Sequence, residues 1–316
     1  MTFNRMVKIL LGLAGFVAGI IAVIVAMVTR RMVAPARQPV RLQPSDLGLP
    51  FENVQFPALD GVRLSGWFIP AAVGTARDGA TLMFVHGWGW NRLGDAADDM
   101  LANMTGATPV EFMRLAHALH YEGYNILTFD MRNHGESAAQ PPVTFGQKEA
   151  DDVLGAVTYL QSRTDVTADR VGAIAFSMGG NALLYALPRT HGIAAAVAVQ
   201  PTTATVFAER FARDVLGGVG EYVVLPLTEL AYAVAGGLNL SALQPAFAAG
   251  GAGETPVLFI QSKHDDWGSV EDVKRIAAAT PCGEGPLYVD STHHYHGYQY
   301  VIDNPKTLVA FFEQYM

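Results

Sequence analysis

A chain of 316 residues and 33.9 kDa, 50% hydrophobic and only 16% charged, has the apolar content for a buried core and is excluded from the disordered class. Its single cysteine, Cys282, excludes an intrachain disulfide framework. Net charge is −8, but residues 1–41 carry six basic side chains and no acid, which leaves −14 on the remainder and excludes the basic footprint of a nucleic-acid binder.

In chain order, Ile9 to Val28 is an uncharged, proline-free run of twenty residues. As a helix it spans about 30 Å, the hydrocarbon thickness of a bilayer. Arg5 and Lys8 precede it; Arg30 and Arg31 follow. A cleaved signal peptide has a shorter apolar region, and a buried core helix seldom lacks a polar face over five turns. Residues 1–31 are therefore read as a single-pass membrane anchor. The flanking basic residues differ by one charge, which favours the cytoplasmic side for the rest of the chain. Residues 32–50, with Pro35, Pro39, Pro44 and Pro50 and no periodicity, read as a semi-extended linker.

Residues 51–316 follow an α/β pattern. Phe51–Phe56 and Val62–Ile69 flank Asp60-Gly61, a hairpin signal. Apolar strand candidates follow at Thr81–Val85, Asn125–Phe129, Val171–Phe176, Ile193–Val199, Val257–Ile260 and Leu287–Val289. Helical patterns occupy Val110–Tyr121, Gln147–Ser162, Met178–Leu187, Val270–Ala279 and Pro305–Tyr315. Strands apolar throughout, alternating with helices, imply a mostly parallel sheet covered on both faces. Residues 201–253 exceed any ordinary crossover and read as a helical insertion over one end of the sheet.

Three segments carry chemistry. In Val171–Gly180 an apolar strand runs into Ser177 and a helix follows at once, the context of a nucleophile elbow, with Ala175 in place of the first glycine of G-x-S-x-G. A serine N-cap before a closely packed helix is the plain structural alternative. His86-Gly87-Trp88-Gly89 directly follows the Thr81–Val85 strand. Acyl transfer needs two backbone N–H groups aimed at an oxyanion; Met178, after the serine, and Trp88 are the candidates. Asp130-Met-Arg-Asn-His-Gly-Glu-Ser137 follows the next strand.

In order and spacing, HGWG at 86–89, DMRNHGES at 130–137 and FSMGG at 176–180 resemble the α/β-hydrolase superfamily, and the second element is similar to a D-x-R-G-H-G-x-S segment with Asn133 in the glycine position. The resemblance covers about residues 55–316 and implies an eight-stranded, mostly parallel sheet, a cap at about 201–253, and a triad in the order Ser…Asp…His. Asp265 best fits the acid after the Val257–Ile260 strand, with Asp266 the runner-up. For the base, His293, His294 and His296 compete, and the spacing to the downstream Gly-Tyr favours His293 over His294. A zinc site built from these histidines with His264 lacks the helical i, i+4 spacing of two-histidine zinc helices and leaves the elbow unexplained. The resulting expectation is a membrane-anchored serine hydrolase without cofactor or metal. It would act on a small-molecule or lipid-like acyl ester, with amides and thioesters also within reach of the chemistry. The rival is a non-catalytic binding or scaffold protein of the same fold at the membrane.

Overall fold

A computed structural model describes residues 3–72, 74, 77–94, 109–291 and 293–316. Eight strands form one sheet: β1 (Glu52–Pro57), β2 (Arg63–Ile69), β3 (Thr81–Val85), β4 (Asn125–Asp130), β5 (Val171–Phe176), β6 (Ala195–Val199), β7 (Val257–Ser262) and β8 (Gly283–Val289), in the order β1-β2-β4-β3-β5-β6-β7-β8. The β1–β2 hairpin turns at Asp60-Gly61 and adds two antiparallel strands at one edge; β4 to β8 and β3 are all parallel.

Side chains alternate across each strand and feed two cores. Met83, Val85, Ala173 and Ala175 face one apolar layer, which also buries α3 (Ala150–Gln161), α4 (Met178–Ala186) and α8 (Val270–Ala279). Leu82, Phe84, Ile174 and Phe176 face the other, against α2 (Phe112–Tyr121), α9 (His294–Asp303) and α10 (Pro305–Tyr315). This two-sided burial is why the strands read as continuous apolar runs.

The insertion between β6 and β7 is helical: α5 (Ala204–Val219), a π-helical stretch at Gly220–Val224, α6 (Leu225–Val234) and the short α7 (Pro245–Ala249). Gly217, at φ 59° and ψ −148°, kinks the end of α5.

Two parts depart from the sequence reading. His294–Asp303 forms a helix that the pattern did not announce; its aromatic residues and central glycine are weak helix formers, and packing against α2 and β7 holds it. Residues 34–50 run extended apart from a 3-10 turn at Pro44–Leu47, but they are not loose. The Arg37 guanidinium donates to the carbonyls of Gly135 and Ser137, Asn91 donates to those of Gln38 and Pro39, and Leu49 enters the core. N-terminal to this strap, α1 (Phe3–Val33) is long and apolar enough to cross a membrane, with a mean hydropathy of 2.8 over its best window and none of that window buried.

Candidate active site

Loops after the parallel strands converge at their carboxyl ends, where ligands bind in open α/β sheets. Ser177 sits between β5 and α4 with φ 51° and ψ −119°, a conformation that side-chain-bearing residues seldom adopt. Its N–H bonds to the Val199 carbonyl at 2.9 Å, so the strain is held by the neighbouring strand. A side chain at Gly179 would lie 2.4 Å from the Val85 carbonyl oxygen, which explains the glycine two residues after the serine. Met178 opens α4, so its N–H lies outside the intrahelical ladder.

The loop after β3 abuts the serine. A side chain at Gly87 would stand 3.4 Å from the Ser177 Cβ. Two buried histidines fix this loop. His86 donates from Nδ1 to the Gly87 carbonyl and accepts the Met131 N–H at Nε2, at 2.7 and 3.0 Å. His134 donates from Nδ1 to the Arg132 carbonyl and accepts the Gly89 N–H at Nε2, at 2.8 and 3.1 Å. Burial depresses both pKa values, and for His86 the neighbouring His134 adds to the effect, so each ring stays neutral and keeps an acceptor nitrogen. The residues on either side of Trp88 are thus tied from below.

The D-x-R loop is a scaffold. Asp130 accepts from the backbone N–H of Arg92 and Glu136 and from the Arg92 guanidinium. Arg132, fully buried, binds Asp152, Asp60 and Gln140. Asn133 has φ 69° and closes a two-way amide pairing with the Gln140 backbone. Asparagine tolerates the left-handed region better than most residues, so its presence at the usual glycine position is accommodated locally.

Asp265, in the loop after β7, is buried, whereas Asp266 is exposed. The Asp265 carboxylate accepts from the N–H groups of Trp267 and Gly268 at 3.0 and 2.7 Å, from Gln261 Nε2 at 3.0 Å, and from His294 Nδ1 at 2.6 Å. Burial opposes its ionisation, but the His294 charge and these hydrogen bonds outweigh it and hold the carboxyl at about 2. Glycine is required at 268, where a Cβ would fall 2.3 Å from that carboxylate.

Of the two candidate bases, the structure brings His294, the alternate, rather than His293 to Asp265. His293 caps α9, accepting the Tyr295 N–H on its own Nδ1 at 3.2 Å, and has turned away from Asp265. The next residue, His294, reaches the acid. His296 is exposed and bonds Ser291 Oγ. Counting along an extended loop could not separate adjacent residues; the unannounced helix does so, because its first residue faces inward. Among the described residues, no three His, Cys, Asp or Glu side chains converge as metal ligands.

Tyr298 lies four residues on, one turn along the same helix face. Its hydroxyl stands 2.8 Å from His294 Nε2, in the pocket that Ser177 also lines. Burial, reinforced by the Asp265 charge, raises its pKa well above the usual tyrosine value, so it stays protonated. Gln200, at φ 50° after β6, donates to the His294 carbonyl at 2.8 Å and accepts the Ser262 N–H at 3.3 Å. Sequence reasoning missed both residues. The i, i+4 relation of His294 and Tyr298 was the available signal, hidden by the missed helix.

Ser177, Met178, Trp88, His294 and Tyr298 line one pocket beneath the cap. Phe207 and Phe211 of α5 pack on Trp267, whose indole N–H bonds Asp214 at 2.9 Å. The cap is thereby fastened to the Asp265 loop.

Comparison with known proteins agrees with this architecture. Protein YfhR of Salmonella typhimurium, itself uncharacterised, is 33% identical over 144 residues, which are 45% of this chain and 42% of YfhR. The thiohydrolase aneE of Aspergillus aculeatus is 24% identical over 54% of this chain and 47% of its own. The chain thus matches less than half the length of these curated relatives. Among solved structures, the esterase Pf2001 of Pyrococcus furiosus superposes with a TM-score of 0.67 at 24% identity, covering 90% of this chain and 98% of the esterase, a likeness of fold. The model of the alpha/beta hydrolase family matches residues 82–311, which contain the elbow, the D-x-R loop, Asp265 and His294, and the chain belongs to that family.

Proposed function

We propose that the protein is a serine hydrolase that cleaves carboxylic esters, with thioesters and amides open to the same chemistry, and that α1 anchors it in a membrane. The observation that carries this reading is the Asp265–His294 pair, hydrogen-bonded onward from Nε2 to Tyr298, in one pocket with Ser177 under the cap. Asp265 fixes the imidazole with its proton on Nδ1, which leaves Nε2 as the basic atom. The serine proton passes to the Tyr298 oxygen as the Tyr298 proton passes to His294 Nε2, and the serine oxygen attacks the carbonyl carbon. The Met178 and Trp88 N–H groups stabilise the oxyanion. The imidazolium returns its proton to the leaving alkoxide, and water, deprotonated by the same base, releases the acid.

Labelling with a fluorophosphonate probe tests this reading. The wild-type chain becomes labelled and S177A does not. An unlabelled wild-type chain, hydrolysing neither p-nitrophenyl esters nor thioesters, would make it a non-catalytic member of the fold.

A further inference from the structure

α1 is not a free-standing rod. Its carboxyl half packs along cap helix α6. Ala18, Ala22, Val25 and Thr29 share an apolar groove with Leu227 and Ala231. From Ala18 to Thr29 a helix rises about 16 Å, half the hydrocarbon thickness of a bilayer. If Ile9 to Val28 spans the bilayer, the cap hairpin of residues 215–234, which turns at Gly217, lies beside that half, level with the acyl chains of one leaflet.

The surface of the hairpin suits that depth. Among the described residues outside α1, eight exposed large hydrophobic side chains fall between Val215 and Val234, against five in all the rest. Tyr222, Leu230 and Val234 are 73%, 63% and 82% exposed. Scattered exposed apolar residues are ordinary in a soluble domain; a contiguous set on one hairpin marks an apolar contact. The stretch holds two acids and no base, and Glu221 is paired with Arg213. The pocket over Ser177 is walled by Arg31 and Pro35, the residues just beyond the apolar run. Arginine belongs where the apolar span meets the headgroups. The mouth of the pocket therefore stands at the same level as the end of the span.

We infer that the cap hairpin 215–234 is immersed beside α1 in the leaflet from which the chain emerges, and that the pocket takes a lipid-borne ester directly from that leaflet. The substrate half rests on the hydrolase reading; the immersion half needs only that α1 spans the membrane.

The test uses the full chain in phosphatidylcholine vesicles, in a C282S background, with a bimane label on a cysteine placed at Val17, Leu230 or Tyr121. Lipids carrying a doxyl group on the acyl chain are expected to quench the labels at 17 and 230 by at least half. Aqueous iodide is expected to quench only the label at 121. A label at 230 quenched by iodide and not by lipid, with 17 still quenched by lipid, would overturn the immersion; loss of lipid quenching at 17 as well would overturn the anchor beneath it. In parallel, L230S/V234S should lower kcat/KM at least tenfold on a long-chain ester held in the vesicles, and change hydrolysis of aqueous p-nitrophenyl acetate less than twofold. Equal loss on both esters would overturn the lipid-borne substrate. No hydrolysis of either by the parent chain would overturn the hydrolase reading and the substrate half with it, while the quenching pattern would still uphold immersion.

Discussion

Two buried carboxylates stand at the carboxyl ends of parallel strands, Asp130 as the last residue of β4 and Asp265 in the loop after β7, and each is paired with a buried cation-forming side chain. Asp130 meets Arg92, a group that is always charged and that donates from Nε and Nη2 to Asp130 and Glu136. Asp265 meets His294 through one nitrogen and leaves the other facing Tyr298 and the pocket. Both carboxylates accept about the same number of backbone N–H bonds. What separates a structural site from a candidate catalytic one is a single basic atom left open to the pocket, rather than burial or charge.

Substitutions that strip one cluster and spare the other sharpen this contrast. The largest effect falls on the reacting atoms. S177A and H294A should each lower kcat by about 10⁶, the scale of triad loss, while H293A, which removes only a helix cap, stays within a few-fold. Ester hydrolysis at saturating substrate is the measurement, and an active H294A would break the assignment. Next come the two acids. D265N should cost about 10⁴ in kcat through the wrong tautomer, with the fold retained. D130N leaves the Arg92 charge buried without its main partner and should cost about 3 kcal/mol of stability in urea unfolding, with kcat of the folded fraction little changed. If D130N instead lost turnover at full stability, the two clusters would not divide as argued.

A smaller effect belongs to Tyr298. Y298F removes the hydroxyl that meets His294 Nε2 in the pocket beside Ser177. It should lower kcat about 10²-fold, the low end of the range for positioned proton transfer, leaving KM and the thermal midpoint unchanged. A purely structural tyrosine would shift the midpoint instead.

How far the sequence disclosed this arrangement differs between the same regions. Strands buried on both faces announce themselves as apolar runs, so β3, β5 and the start of β7 are legible residue by residue. The elbow is legible because its geometry demands small residues around Ser177. Asp265 is distinguishable from Asp266 by spacing, since only one of two adjacent residues in a turn can face inward. The histidine was not legible. His293 and His294 are equivalent on an extended chain, and the helix that distinguishes them is set by tertiary packing rather than by propensity. For the same reason Tyr298 and Gln200 stayed hidden: their roles depend on which face α9 and the end of β6 present. The contacts of residues 32–50 with the domain were equally invisible, because an extended strap carries no periodicity.

The smallest effect concerns the histidines that serve the scaffold. His86 and His134 are held neutral, with folded pKa values below the 6.5 expected of the unfolded chain. Between those values the unfolded state binds more protons. Stability is therefore complete above pH 6.5 and declines as the pH falls toward the depressed folded values, by at most about 1.4 kcal/mol per pH unit for each ring. Asp265 acts lower on the scale. Its folded value of about 2 lies beneath the unfolded 3.8, so its contribution is present above 3.8 and is lost as the pH falls toward 2. Urea midpoints from pH 8 to 2 should thus carry a first loss below pH 6.5, from His86 and His134 and opposed by the buried Asp152 carboxyl raised to about 7, and a second below 3.8 that Asp265 shares with Asp60 and Asp165, both held low by arginine. H134Q should shrink the first stage and D265N the second. A first stage unaltered in H134Q would mean that the ring is charged in the folded protein. It could not then accept the Gly89 N–H, and the loop carrying Trp88 would have to be held by something else.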